Sequence, residues 1–82
     1  MMREVTKEEA PILRKGDKSD IVEFLQNRLL EEGYYLETDG DFGDETENAL
    51  KKFQRDWGIE QDGVCGPVTW GTILSTPNWR PL

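Results

Sequence analysis

Residues 39–50 read DGDFGDETENAL, and residues 62–73 read DGVCGPVTWGTI. Both stretches contain Asp-Gly, a second glycine three residues after the first, a threonine three residues later, and then an apolar residue. Asp-Gly favours a tight turn in which glycine adopts positive φ, and the second glycine lets the backbone enter a helix. Each stretch therefore predicts a turn followed by a helix, and the duplication predicts a small scaffold built from one unit.

The two predicted helix starts use different side chains. Pro67 directly follows the second glycine of the later copy, at a first helical position where a missing N–H is tolerated. The earlier copy has carboxylates in its first turn, at Asp44, Glu45 and Glu47. Carboxylates there complement the partial positive charge of a helix N-terminus. The same helix start is thus predicted from two kinds of chemistry.

Three helices are predicted from apolar periodicity and end signals. The first runs from a cap at Asp17 or Ser19 to about residue 32, the second covers about 44–57 and the third about 67–74. Apolar residues recur at helical spacing and are expected to face inward: Ile21, Val22, Leu25, Leu29, Ala49, Leu50, Phe53, Trp57, Trp70, Ile73 and Leu74. Helices this short must pack around one centre. We predict an all-α fold, a compact three-helix bundle built from a pseudo-repeat of helix, Gly stop, Asp-Gly turn and helix.

The length of 82 residues allows one domain with one modest core. We place this domain at residues 13–75, after an N-terminal approach segment at 1–12 and before a C-terminal tail at 76–82. Thr6 and Glu9 could form a capping box in the approach segment, and Pro77 and Pro81 argue against helix in the tail.

Charge and hydropathy exclude several classes of partner. The net charge of −7 opposes binding to a phosphate backbone or an anionic membrane surface, and the basic residues are scattered. No apolar run approaches the length of a membrane span, and the charged N-terminus lacks the apolar stretch of a signal peptide. We expect a monomer that binds neither nucleic acid nor membrane. If it works outside the cytoplasm, we expect it to do so as part of a longer protein or after lysis.

The residue types present also limit the chemistry. Cys65 is the only cysteine, so it cannot form an intramolecular disulfide, and its equivalence to Phe42 in the repeat predicts a buried apolar role. The absence of histidine removes imidazole catalysis and the usual catalytic triads. The acidic stretch from Asp39 to Glu47 departs from the EF-hand pattern, and helix-start carboxylates explain it without calcium. We expect no cofactor and no metal site.

A longer ordered pattern surrounds the repeat. It comprises Leu13-x-x-Gly16, then Leu25-Gln26-x-x-Leu29-x-x-x-Gly33-Tyr34, then both turn phrases joined by Phe53-Gln54-x-x-x-Gly58-Ile59 and ending at Leu74. This pattern resembles the bacterial peptidoglycan-binding domain with the three-helix fold. One departure is Ser19, where that family often has glycine, which suggests a side-chain cap. The resemblance implies a non-catalytic module that attaches amidases, muramidases, transpeptidases or phage endolysins to the cell wall.

The implied partner is peptidoglycan, through its glycan strand or its stem peptide, together with a cell-wall hydrolase domain. The implied place of action is the cell envelope or the extracellular space, including release during phage lysis. As a hypothesis, the ligand lies in a shallow groove beside the two Asp-Gly turns, against aromatic faces and polar turn groups. The candidate ligand-binding residues are Tyr35, Asp39, Gly40, Phe42, Gln54, Asp62, Gly63 and Trp70. Turn geometry and core packing are the competing explanation for most of them.

Two other functional classes stay open at this point. A glycoside hydrolase needs two placed carboxylates, but a bundle of this size offers little cleft in which to desolvate one. A protein-interaction module is the second class, because similar three-helix domains occur as pro-segments of eukaryotic matrix metalloproteases. In those segments the zinc-directed cysteine follows the third helix, whereas Cys65 precedes it.

Overall fold

The computed structural model describes residues 10–75 and contains three helices in that range. They are α1 at Asp20–Glu31, α2 at Asp44–Asp56 and α3 at Pro67–Ser75. The all-α three-helix prediction is confirmed, with each boundary within about one residue of expectation. The proposed capping box at Thr6 and Glu9 and the proline-containing tail lie outside the described residues.

The first helix begins and ends as its sequence predicts. The Ser19 hydroxyl accepts a hydrogen bond from the Val22 N–H at 3.2 Å, so Ser19 rather than Asp17 caps α1. At the other end Gly33 has φ 99°, and the Tyr34 N–H donates to the Leu29 carbonyl at 3.0 Å. This left-handed glycine stops the helix and turns the chain toward α2.

The core is drawn from all three helices and from the segments between them. Its fully or nearly fully buried apolar residues are Leu13, Val22, Leu25, Leu29, Leu36, Phe42, Ala49, Leu50, Phe53, Cys65, Trp70 and Ile73. Ile21 and Leu74 are partly buried against this cluster. Trp57, predicted to face inward, is 46% exposed, because it caps α2 and contacts Phe53 only at the edge of the core.

The chain entering α1 is held by both turn phrases. Leu13 and Cys65 form an antiparallel bridge through two backbone hydrogen bonds, of 3.2 and 2.8 Å. The Phe42 N–H donates to the Asp17 carbonyl at 2.9 Å, and Lys18 and Asp41 form a second isolated bridge. These contacts fix the two turns relative to α1, which determines the surface left between the turns and the helices.

Candidate functional site

A buried glutamine organises each Asp-Gly turn. The Gln26 Nε2 donates to the Thr46 Oγ1 at 2.9 Å, to the Asp41 carbonyl at 3.0 Å and to the Asp39 Oδ1 at 3.3 Å. Its Oε1 accepts from the Gly40 N–H at 2.8 Å, which fixes the orientation of the amide because the backbone N–H can only donate. One side chain of α1 thus joins the turn to the start of α2.

The second copy repeats this network atom for atom. The Gln54 Nε2 donates to the Asp62 Oδ1, the Val64 carbonyl and the Thr69 Oγ1 at 3.0–3.1 Å, and its Oε1 accepts from the Gly63 N–H at 3.0 Å. Both glutamines are fully buried. Buried amides are stable only when their hydrogen bonds are made, so these networks specify the two turns.

The aspartates close their own turns as well. The Asp39 Oδ1 accepts from the Asp41 N–H at 3.0 Å, and the Asp62 Oδ1 accepts from the Val64 N–H at 3.0 Å, which is the geometry of an Asx turn. The Asp41 N–H, with help from the Gln26 amide, holds the pKa of Asp39 below its ordinary value. Both aspartates are exposed, but the Oδ1 atom of each accepts the hydrogen bonds that hold its turn.

The structure divides the eight predicted site residues into two groups. Four are buried: Phe42, Gln54, Gly63 and Trp70. Trp70 also donates its indole N–H to the Pro11 carbonyl at 2.8 Å. Packing and internal hydrogen bonds occupy these four residues, so they present almost no surface to solvent in this fold. Tyr35, Asp39, Gly40 and Asp62 keep some exposure.

Tyr35 lies at an open cavity of about 550 Å³ between the α1–α2 connection and α2. We call this cavity the Tyr35 groove. Its lining residues are Gly33, Tyr34, Tyr35, Glu45, Asn48, Ala49 and Lys52. The residues from α2 have positions i, i+3, i+4 and i+7, so they form one face of that helix. None of them belonged to the predicted site, although the spacing of Glu45, Asn48 and Lys52 was a signal in the sequence.

The wall formed by the α1–α2 connection is held in place. The Tyr34 ring packs edge-on against Phe53 with 6.0 Å between centroids, and its hydroxyl donates to the Asp56 Oδ2 at 2.7 Å. The hydrogen bond from that hydroxyl, and to a smaller extent the neighbouring Arg55, holds the pKa of Asp56 below its ordinary value. Across the groove, the Glu45 Oε1 accepts from the Glu37 N–H at 2.7 Å. The groove therefore has positioned walls on both sides.

Several polar groups outside the groove are paired with one another. Lys15 pairs with Asp44, which lowers the pKa of that carboxyl, and Lys51 lies 4.0 Å from Glu47. Burial raises the pKa of the Cys65 thiol, as expected for the predicted buried residue. Within residues 10–75 no cluster of three or more Asp, Glu, Cys or His residues is placed to hold a metal ion. No helix in this range is long and apolar enough to cross a membrane.

Comparison with known proteins gives one consistent result. A family model described as a peptidoglycan binding domain matches residues 18–73. The N-acetylmuramoyl-L-alanine amidase CwlM of Mycobacterium tuberculosis is 49% identical over 51 residues, which cover 61% of this chain and 13% of the amidase. The chain thus spans only a small part of that relative.

Two solved structures share the fold. The Burkholderia AP3 phage endolysin aligns with a TM-score of 0.79 and 36% identity, over 80% of this chain and 25% of the endolysin. The SleB N-terminal domain aligns with a TM-score of 0.75 and 34% identity, over 78% of this chain and 89% of that domain. The match therefore covers a whole domain in one protein and a small part of a larger enzyme in the other.

Proposed function

Because this chain belongs to the peptidoglycan-binding domain family, we propose that it binds peptidoglycan through the Tyr35 groove without catalysing a reaction on it. Its relatives include an amidase and an endolysin, so the binding would hold a cell-wall hydrolase at its polymer. We further propose that the module is monomeric and acts at the cell envelope or outside the cell.

The observation that carries the choice of site is the exposure of Tyr35, which reaches 91% at the edge of the groove. An aromatic ring left in water gains free energy when it covers the apolar face of a sugar or the methyl group of a peptide. The neighbouring Tyr34 is held by Phe53 and Asp56, so the backbone that presents Tyr35 is anchored. A fixed platform loses less conformational entropy on binding than a mobile one.

The turn residues Asp39, Gly40 and Asp62, which are exposed or partly exposed, have a secondary part in this proposal. Their networks with Gln26 and Gln54 set the shape of the two turns, whose residues do not line the groove. Any contact with ligand would come from atoms left over after these hydrogen bonds. We therefore expect their substitution to affect stability before it affects binding.

Sedimentation of the chain with purified insoluble peptidoglycan tests the proposal. We expect the wild-type chain to co-sediment. Tyr35→Ala should raise the apparent Kd about three- to tenfold, as for loss of one aromatic contact. Val68→Ala is the matched control, because Val68 is a 67% exposed apolar side chain on α3, away from the groove. Thermal unfolding of both variants verifies that the fold is kept.

Failure of the wild-type chain to sediment with walls of several chemotypes would overturn the proposal. It would favour the protein-interaction class instead. Equal binding by Tyr35→Ala and wild type would keep peptidoglycan as the ligand but reject the Tyr35 groove as the site. Release of soluble fragments from the wall by the chain alone would contradict a non-catalytic role.

A further inference from the structure

The Tyr35 groove has opposite charges at its two ends. Glu45 and Lys52 both line it and are separated by seven residues of α2, which places them roughly 10 Å apart along the helix axis. Glu45 is held by the Glu37 N–H, so its negative charge has a defined position. Asn48 lies between the two charged residues on the same helix face.

Two of these side chains have unused bonding capacity. Within residues 10–75, the side chains of Asn48 and Lys52 make no hydrogen bond or ion pair, in contrast to Lys15, Lys51 and Arg55, which all have carboxylate neighbours. Among the described residues Arg14 and Lys18 also make no ion pair, but of these three basic side chains only Lys52 lines the groove. Its ammonium remains available to an incoming anion, and the Asn48 amide can both donate to and accept from a peptide group.

Resting on the proposed function, we infer that the Tyr35 groove binds the stem peptide of peptidoglycan and not its glycan strand. A free C-terminal carboxylate is placed at Lys52, a diamino-acid ammonium at Glu45, and the peptide group between them at Asn48. Tyr35 covers the apolar atoms of the same peptide. An extended dipeptide with a lysine-like side chain reaches a span similar to the separation of the two charges.

The glycan strand lacks the charges that would match this groove. Its acetamido sugars are neutral, and where a stem peptide is attached, the lactyl carboxyl of the muramic acid is consumed in the amide bond. A free carboxylate and a free ammonium are both found on a stem peptide that is not cross-linked. Charge complementarity at two ends therefore selects that part of the polymer and orients it along α2.

Titration of the ¹⁵N-labelled chain followed by NMR tests the inference. The probes are a synthetic stem tetrapeptide with a free C-terminus, the same peptide amidated at its C-terminus, the same peptide acetylated at its diamino-acid side chain, and an N-acetylglucosamine tetramer. We expect the free peptide to shift the amides of residues 33–35 and 45–52. Each capped peptide should bind about three- to fivefold more weakly, as is typical of one exposed ion pair. The tetramer should leave these amides unshifted.

Two variants of α2 assign the carboxylate contact. Lys52→Gln should lose about three- to fivefold in affinity for the free peptide and should no longer distinguish it from the amidated one. Lys51→Gln is the matched control, because it removes the same charge one residue away, where the side chain lies toward Glu47 and Gly63. It should keep the preference for the free peptide.

The possible failures are distinguishable. If the amidated and free peptides bind equally, or if the sugar tetramer shifts the groove and the peptides do not, the inference is overturned while wall binding stands. If the chain also fails to sediment with intact peptidoglycan, the proposed function itself is wrong. A loss of the peptide preference in Lys51→Gln as well as in Lys52→Gln would show a general effect of net charge and would reject the contact.

Discussion

The two Asp-Gly turns have the same polar network and different apolar and steric surroundings. Gln26 and Gln54 each make four side-chain hydrogen bonds to equivalent atoms. The apolar residue that follows is Phe42 in one copy and Cys65 in the other, and both are buried. The hydrogen bonds therefore define the turn itself, whereas the size of the apolar residue is set by the space that each turn must fill.

Truncation of Phe42 and of Cys65 should give the largest difference in stability between the two copies. We expect Phe42→Ala to lower the free energy of unfolding by about 3–5 kcal/mol, since it removes a whole buried ring and leaves a cavity. Cys65→Ala removes one buried sulfur and should cost about 1 kcal/mol. Urea unfolding monitored by circular dichroism measures both. Similar losses for the two variants would mean that the two turns fill equal spaces.

Removing the glutamines should affect both copies alike. Gln26→Ala and Gln54→Ala each leave a glycine N–H, a carbonyl and a threonine hydroxyl without their partner, and we expect each to cost about 3 kcal/mol. The control is Gln61→Ala, at an exposed glutamine, with a change of at most about 0.5 kcal/mol. The same unfolding experiment applies. A loss below about 1 kcal/mol in only one variant would refute the equivalence of the networks.

Alanine at either turn glycine should be destabilising, for reasons that differ in part between the two copies. Gly40 and Gly63 have φ of 80° and 70°, so alanine at either position should cost about 1–2 kcal/mol in backbone strain. A Cβ on Gly40 would approach the Ser19 carbonyl oxygen at 3.2 Å, whereas one on Gly63 would lie 2.9 Å from the Glu47 Cγ. Only the second contact is with a side chain, which can be removed by substitution.

A double-substitution cycle tests this difference. In a Glu47→Ala background, Gly63→Ala should become less costly, while the cost of Gly40→Ala should stay the same. Thermal unfolding of the single and double variants gives the coupling. An unchanged cost for Gly63→Ala would show that backbone strain and the Lys51 Cε, 3.0 Å from the added Cβ, make alanine unfavourable there, and that the contact with Glu47 does not.

The smallest expected effect is a pH dependence contributed by Asp39. The Asp41 N–H and the Gln26 amide lower the folded-state pKa of this carboxyl below its ordinary value of 3.8. Its contribution to stability is therefore complete above about pH 4 and is lost as the pH falls through the folded-state value. Asp39→Asn should lower the Tm slightly at pH 7, and the difference from wild type should shrink at pH 3. A difference that grows toward low pH would contradict this assignment.

The fold could be predicted from sequence for identifiable reasons, whereas Tyr35 is the one predicted site residue that lines the candidate groove. Gly33, Gly58 and the Asp-Gly pairs have strong local preferences, so the helix ends and turns followed from residue types. Leu25-Gln26 and Phe53-Gln54 both belong to the ordered sequence pattern, from which Gln54 is predicted as a ligand contact and Gln26 has no predicted role. The polar character of glutamine suggests a surface position, and only its four partners in the fold explain why it is buried.

The sequence by itself determined the three helices and the two turns through backbone preferences and short-range periodicity, and the buried role of Cys65 through its equivalence to Phe42 in the repeat. The tertiary structure alone decided which polar and aromatic residues are available to a ligand. Trp70 and Tyr35 are both large aromatics near a helix or its end, yet one is buried and the other is 91% exposed. Exposure is a property of packing between distant segments, and it is the reason that the site we propose lies in the groove beside α2 and not at the turns.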